Sequence, residues 1–369
     1  ASVAGGAFNS APSQTAAAGT PRTTASAPPK AEYTIPGTAG WSAAPATPPT
    51  SCTLNRLPAP DNAPMALVSG ADPTGRYIVG RSYPKAATYQ AVIWHDGNVQ
   101  KVMLPGHEEL LKDVNSAGTA VGYSYTGGSE EDTGRVPYVY HDGEVSMLQG
   151  VRRGSAYAIN DAGAIAGDDD TGHAALVWPS ATTKPIRLPV PAGTSMATAR
   201  DIDEDGTTVG TIDDARPYVW FPDGTHRELP MPHIDGVQTT GARAFSIRNG
   251  WVTGTAGQLD GGAKATRAKR MTNVRLVRWN VRTGEVRVFG GMQGLPNEVN
   301  AHGWQVGTDQ QGRAVLVTDA EPVVLPALAG GQPTAVSNIA TTLSDDGRTV
   351  AGQSDDATDT IQAVVWRCR

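Results

Sequence analysis

Asp201, Asp203 and Asp205 stand at alternate positions ahead of Gly206 in DIDEDG (201–206), the D-x-D-x-D-G opening with which a calcium loop gathers oxygen ligands. Calcium is thus the one cofactor the residues suggest. A plain polar turn is the alternative, because the ninth and twelfth places of such a loop hold Val209 and Ile212. A second set of candidates lies in polar segments: Tyr123 and Tyr125 in YSYTGGSEEDTGR (123–135), Asp168 and Asp170 in DDDTG (168–172), Asp213 and Asp214 in TIDDAR (211–216). Carboxylates that converge could act as general acid and base, and tyrosines as ligand contacts. The third set is basic: TAGQLDGGAKATRAKRMTN (255–273) inserts Lys264, Arg267, Lys269 and Arg270 among otherwise acidic links, as a clamp, a partner contact or a solvated loop. No G-x-S-x-G, H-E-x-x-H or paired-cysteine metal motif occurs, and the seven histidines are dispersed.

What positions these residues is a repeat. Seven short apolar runs end in a glycine, at 80, 122, 167, 210, 254, 307 and 352, a period of about 44 residues in which one four-stranded propeller blade fits. In the fourth copy TARDID (198–203), TTVGTID (207–213), RPYVWF (216–221) and HRELP (226–230) read as four short strands a to d, β-branched or alternating and bounded by Gly, Asp and Pro. The a–b turns carry NSAG, NDAG or SDDG and the c–d turns often DG, which is hairpin chemistry. Each unit is therefore an antiparallel meander, and the fold class is all-β: a seven-bladed β-propeller of four-stranded antiparallel blades. Its b–c and d–a links, which hold the polar candidates, share one face around a central channel. Trp94, Trp178, Trp220, Trp279 and Trp366 recur at one place in strand c and are expected to pack between blades, whereas Trp251 and Trp304 are candidates for surface contacts.

The seventh copy stops after strand c, AVVWRCR (363–369), and CTLNRLP (52–58) has the Leu-Pro ending of a strand d with no strand c before it. The ring is expected to close with residues 52–57 as the outer strand of the last blade. Aligned on Trp94 and Leu104 of the first blade, Cys368 and Cys52 map onto Asp96 and Val99, which flank a hairpin turn. A Cys52–Cys368 disulfide would replace that missing turn.

Residues 1–51 are rich in Ala, Ser, Thr and Pro and read as a flexible tail ahead of a single domain over 52–369. The chain begins at Ala and holds no apolar run long enough to span a bilayer, so it reads as a mature secreted protein, extracellular or wall-associated, without membrane insertion. A net charge of −6 argues against nucleic acid as a partner.

The repeat A-x-x-I-N-x-x-G-x-x-V-G, a variable link, A-F/V-V-W, D/N-G and a Leu-ended strand resembles the extracellular HAF-repeat family over about residues 63–367. His173-Ala174-Ala175-Leu176-Val177-Trp178 is nearest to the family's namesake His-Ala-Phe, while other copies read QAVIW, RPYVW or AVLVT. The resemblance implies secretion and a propeller-like repeat without an established reaction. SDDGRTVAG (344–352) also resembles a WD40 blade. The expected function is a non-enzymatic binding propeller for a cell-surface glycan or another secreted protein, as a lectin-like or adaptor subunit. A propeller lyase or hydrolase with acids at the channel mouth, and a structural wall-associated protein, are the alternatives.

Overall fold

The computed structural model describes residues 33–125, 134–171, 173–261, 270–295, 298–328 and 338–369. They form seven antiparallel blades. In the fourth, Ala197–Ile202, Thr208–Ile212, Arg216–Trp220 and His226–Glu228 pair in chain order as strands a to d. The sixth blade has three such strands, Gln305–Thr308, Ala314–Val317 and Val323–Val324, and a bridge between Val299 and Gln305 holds the place of strand a. The only helical turn among the described residues is a 3-10 turn at Pro60–Asn62.

The recurring tryptophans do more than fill space. All five are buried, and each indole donates to a carbonyl at the end of the preceding blade's outer strand: Trp94 to Pro58 (2.8 Å), Trp178 to Gln149 (2.8 Å), Trp220 to Pro189 (2.6 Å), Trp279 to Pro230 (2.7 Å) and Trp366 to Pro326 (2.8 Å). Proline has no N–H to offer, so the Leu-Pro ending leaves a carbonyl for the neighbour. The Asn of the I-N element makes a second ring of blade-to-blade bonds: Asn115 donates to Asn160 O (3.1 Å), Asn160 to Asp203 O (3.1 Å) and Asn300 to Ser344 O (3.1 Å). Trp304, a candidate for a surface contact, is instead buried in the core of blades six and seven, and Trp251 is half-buried beneath the Arg278 guanidinium at 4.3 Å.

The last blade has the order Cys52–Arg56, Ile361–Cys368, Thr349–Asp355, Ile339–Leu343, so the N-terminal strand closes the ring. Cys52 lies directly opposite Cys368 and the two are disulfide-bonded, with Cα atoms 4.0 Å apart. The register corrects the alignment: Leu57 N donates to Ala363 O as Val102 N does to Ala91 O, so Leu57 corresponds to Val102 rather than Leu104. Cys52 and Cys368 therefore take the places of Gly97 and Asp96, within the turn itself. Replacing both cysteines by serine is expected to cost about 2 to 4 kcal/mol in urea unfolding, since the bridge closes almost the whole chain. A loss below about 0.5 kcal/mol would mean that the strand ladder alone sustains closure.

Residues 33–51, which composition assigns to the tail, lie against the ring on the face of the a–b turns. Ile35 is buried, Asn160 donates to Pro36 O (3.1 Å), Thr38 N donates to Glu204 O, and Arg348 donates to Thr47 O (3.1 Å). Gly37 is pressed to the turn so closely that a Cβ would sit 2.3 Å from the Asp205 carbonyl carbon. The segment is thus a strap running from blades three and four to blade seven. Apolar Tyr33 and Ile35 supply burial that the Ala/Ser/Thr/Pro average hides.

Candidate functional site

The glycine that closes each apolar run has a steric cause. A Cβ on Gly122 would lie 1.9 Å from Leu110 O, and one on Gly210 1.8 Å from Thr198 O. Strand a approaches strand b so closely there because it carries a β-bulge at the same place in six blades, at Ser69, Lys112, Tyr157, Arg200, Phe245 and Thr341. A bulge re-aims the side chain of its extra residue, and all six line the central channel, a space of about 380 Å³.

The second x of A-x-x-I-N, which follows the bulge where there is one, supplies a set of its own. Asp113, Asp201 and Glu298 occupy it in blades two, four and six, and all line the channel. Asp113 accepts from Ile159 N (2.9 Å) and Asp201 from Ile247 N (2.7 Å), so each also ties its blade to the next. Burial pushes Asp201 up to about 7 and Asp113 well above the usual carboxylate range, the latter reinforced by the Asp201 charge. Glu298 is likewise held well up by burial and by the charges of Asp113 and Asp201. Burial pulls Lys112 down to about 8, assisted by the positive charges of Arg200 and Arg81.

Toward the link face the channel meets a tyrosine and arginine cluster. Arg200 lies over the Tyr157 ring (4.6 Å), Arg135 over Tyr123 (5.1 Å), and Arg81 over Tyr89 (4.8 Å) and Tyr83 (5.5 Å). Tyr157 Oη donates to Asp168 (3.1 Å), whose carboxyl is pushed up to about 6 by burial and then by Asp170. Arg135 stands 3.8 Å from Asp170. Tyr123, Asp168 and Asp170 are thus brought together beside the channel, while Tyr125 pairs with His107 and Arg135 in the strand ladder.

At the turn-face end Arg248 bridges Glu204 and Asp345, both at 2.7 Å, and the Trp41 ring of the strap lies 4.4 Å from its guanidinium. Three blades and the strap meet at this one side chain.

Other candidates are engaged elsewhere. Asp213 accepts from Ser195 N (2.8 Å) and Met196 N (3.1 Å), and Asp214 pairs with Arg243 (3.6 Å); neither lines the channel. The acids of DIDEDG diverge. Asp201 faces the channel, Asp203 accepts from Asn249 N (3.0 Å) and Gly250 N (2.9 Å) of the next blade, and Asp205 accepts from Thr207 N (2.9 Å). Asp203 occupies the place of Asn115 and Asn160 and, like them, ties its blade to the next. Among the described residues no group of three or more His, Cys, Asp or Glu is placed to hold a metal ion. Arg270 is exposed and its carbonyl accepts from Asp260 N (3.0 Å); Lys264, Arg267 and Lys269 lie outside the described residues.

Lys112, Asp113, Tyr157, Arg200, Phe245, Glu298 and Arg248 were not singled out by sequence reasoning. Their signal was nevertheless present: apart from Arg248 they are the two x positions of A-x-x-I-N, irregular residues inside an otherwise regular strand.

No family model and no curated protein matches the sequence. Among solved structures the chain is similar to a streptogramin B lyase (TM-score 0.57, 11% identity, covering 86% of this chain and 98% of that one). It is similar also to a virginiamycin B lyase from Staphylococcus aureus (0.55, 12%, 86% and 99%) and to the β-propeller domain of the Trilobed protease from Pyrococcus furiosus (0.54, 11%, 82% and 95%). At these identities the likeness shows the fold alone, a β-propeller.

Proposed function

We propose that this chain is a secreted glycan-binding propeller that receives the end of a sugar chain in its central channel from the link face. The observation that carries this reading is the set of bulge side chains, Lys112, Tyr157, Arg200 and Phe245 among them, aimed from separate blades into one concave space of about 380 Å³. A cavity of this size, lined by many charged groups with the rings of Tyr157 and Phe245 among them, suits a small polar ligand end. A protein partner is less well served, because among the described residues the large exposed apolar side chains, Met103, Met147, Met196, Val237 and Val324, sit on different blades and links. The disulfide and the HAF-repeat resemblance support an extracellular setting. On a glycan array followed by titration calorimetry, Tyr157→Ala and Phe245→Ala are expected to weaken the best ligand by about tenfold or more. Unchanged affinity in both variants would discard the channel as the site.

A lyase or hydrolase is the second reading. Asp168, pushed up to about 6 and bonded to Tyr157 Oη at 3.1 Å, has the tuning of a general acid or base. The same incubations, read by mass spectrometry, decide between the two: cleaved or unsaturated products that vanish with Asp168→Asn would make the protein an enzyme.

A further inference from the structure

We propose that Lys112 and Arg200, flanking Tyr157 in the channel wall, form the seat for the carboxylate of an acidic sugar residue, a uronic acid at the end of a glycan; this rests on the glycan reading above. The three side chains come from blades two, three and four at the same bulge and line one cavity. Arg135, Arg243 and Arg248 nearby each pair with a carboxylate, whereas among the described residues neither Lys112 nor Arg200 makes an ion pair. Arg200 stands instead over the Tyr157 ring at 4.6 Å, which fixes its plane and leaves its edge donors free for a ligand. Lys112 and Arg200 thus share one cavity with acids close by but neither is locked in an ion pair, so an anion placed between them can take donors from both.

The surroundings select which anion. Asp113 and Asp201 directly follow Lys112 and Arg200, and Glu298 lines the same cavity. Carboxyls that retain a proton there can donate to a carboxylate, which carries one negative charge, whereas a phosphate dianion would bring a second charge against the same acids. Phe245 adds an apolar surface within the cavity for the C–H face of a sugar ring.

Calorimetry on the full chain with a galacturonate oligomer and with the same oligomer as its methyl ester tests this. The expected result is at least about tenfold tighter binding of the acid form, since a charge-assisted bidentate contact is lost in the ester. Lys112→Met and Arg200→Met, checked for wild-type circular dichroism and thermal midpoint, are expected to reduce that preference below about threefold while the ester still binds; Lys112→Arg should restore it. Equal affinity for acid and ester in the wild type overturns the carboxylate seat and leaves the glycan reading standing. A preference that survives the double variant also overturns it. Binding of neither oligomer nor any arrayed glycan overturns both, as does binding of a peptide carboxyl terminus that its amide abolishes.

Discussion

Arg248→Met is expected to destabilise the protein by about 3 to 5 kcal/mol, the usual consequence of removing one partner from a buried ionic network. The guanidinium satisfies Glu204 and Asp345 at 2.7 Å each, with side chains only 14%, 9% and 25% exposed. Those acids in turn accept backbone N–H groups from other blades: Glu204 from Asp161 (3.0 Å) and Asp345 from Ala301 (3.1 Å). Methionine keeps the apolar stem but leaves one buried and one half-buried carboxylate without their counter-charge. The effect extends to the strap, because the same guanidinium stands 4.4 Å from the Trp41 ring. Urea unfolding of the single variant and of Arg248→Met/Asp345→Asn checks this, with the double variant expected to lose less than the sum of its parts. A loss below about 1 kcal/mol would mean that water screens the network and that the turn-face end is open.

The second large effect is a stability that falls as pH rises. Asp201 is held up to about 7, and Asp113 and Glu298 well above the carboxylate range, mainly by burial. Each binds its proton more tightly in the folded than in the unfolded chain. Below about pH 4 both states are protonated and the contribution is fully present; it is then lost progressively until pH passes the folded value. For Asp201 the loss between about pH 4 and pH 7 reaches up to about 4 kcal/mol. Asp168, held up to about 6, acts in the same direction. Unfolding midpoints measured from pH 4.5 to 8 are expected to decline, and Asp201→Asn should flatten the decline and raise stability at pH 8. Asparagine retains an oxygen for Ile247 N and its amide stands in for the carboxyl proton. Midpoints that rise over this range, or a slope unchanged in Asp201→Asn, would show that these acids are ionised and solvated in the channel.

The two effects differ in how legible they were. Seven blades, the meander within each, closure by residues 52–57 and the pairing of Cys52 with Cys368 could all be read from the chain, because they depend on short-range properties that every copy repeats. Strand alternation, Gly and Asp at hairpin turns and a tryptophan at one register recur at a nearly constant spacing, and a truncated last copy can be completed only by the fragment at the other end. Even the channel residues left a trace, as the irregular pair in A-x-x-I-N. What only the tertiary structure decided is which of these residues meet. Asp113, Asp201 and Glu298 are 88 and 97 residues apart in sequence, yet one radial arrangement brings them into one cavity, where Asp201 raises the proton affinity of Asp113 and both raise that of Glu298. The acids of DIDEDG, adjacent in sequence, are turned to three different partners by the bulge and the turn. Residues 33–51, polar on average, are held by a few apolar and hydrogen-bonded contacts to several blades. Sequence spacing governs local conformation. Burial and charge coupling follow distance in space, which in a closed ring bears almost no relation to separation along the chain.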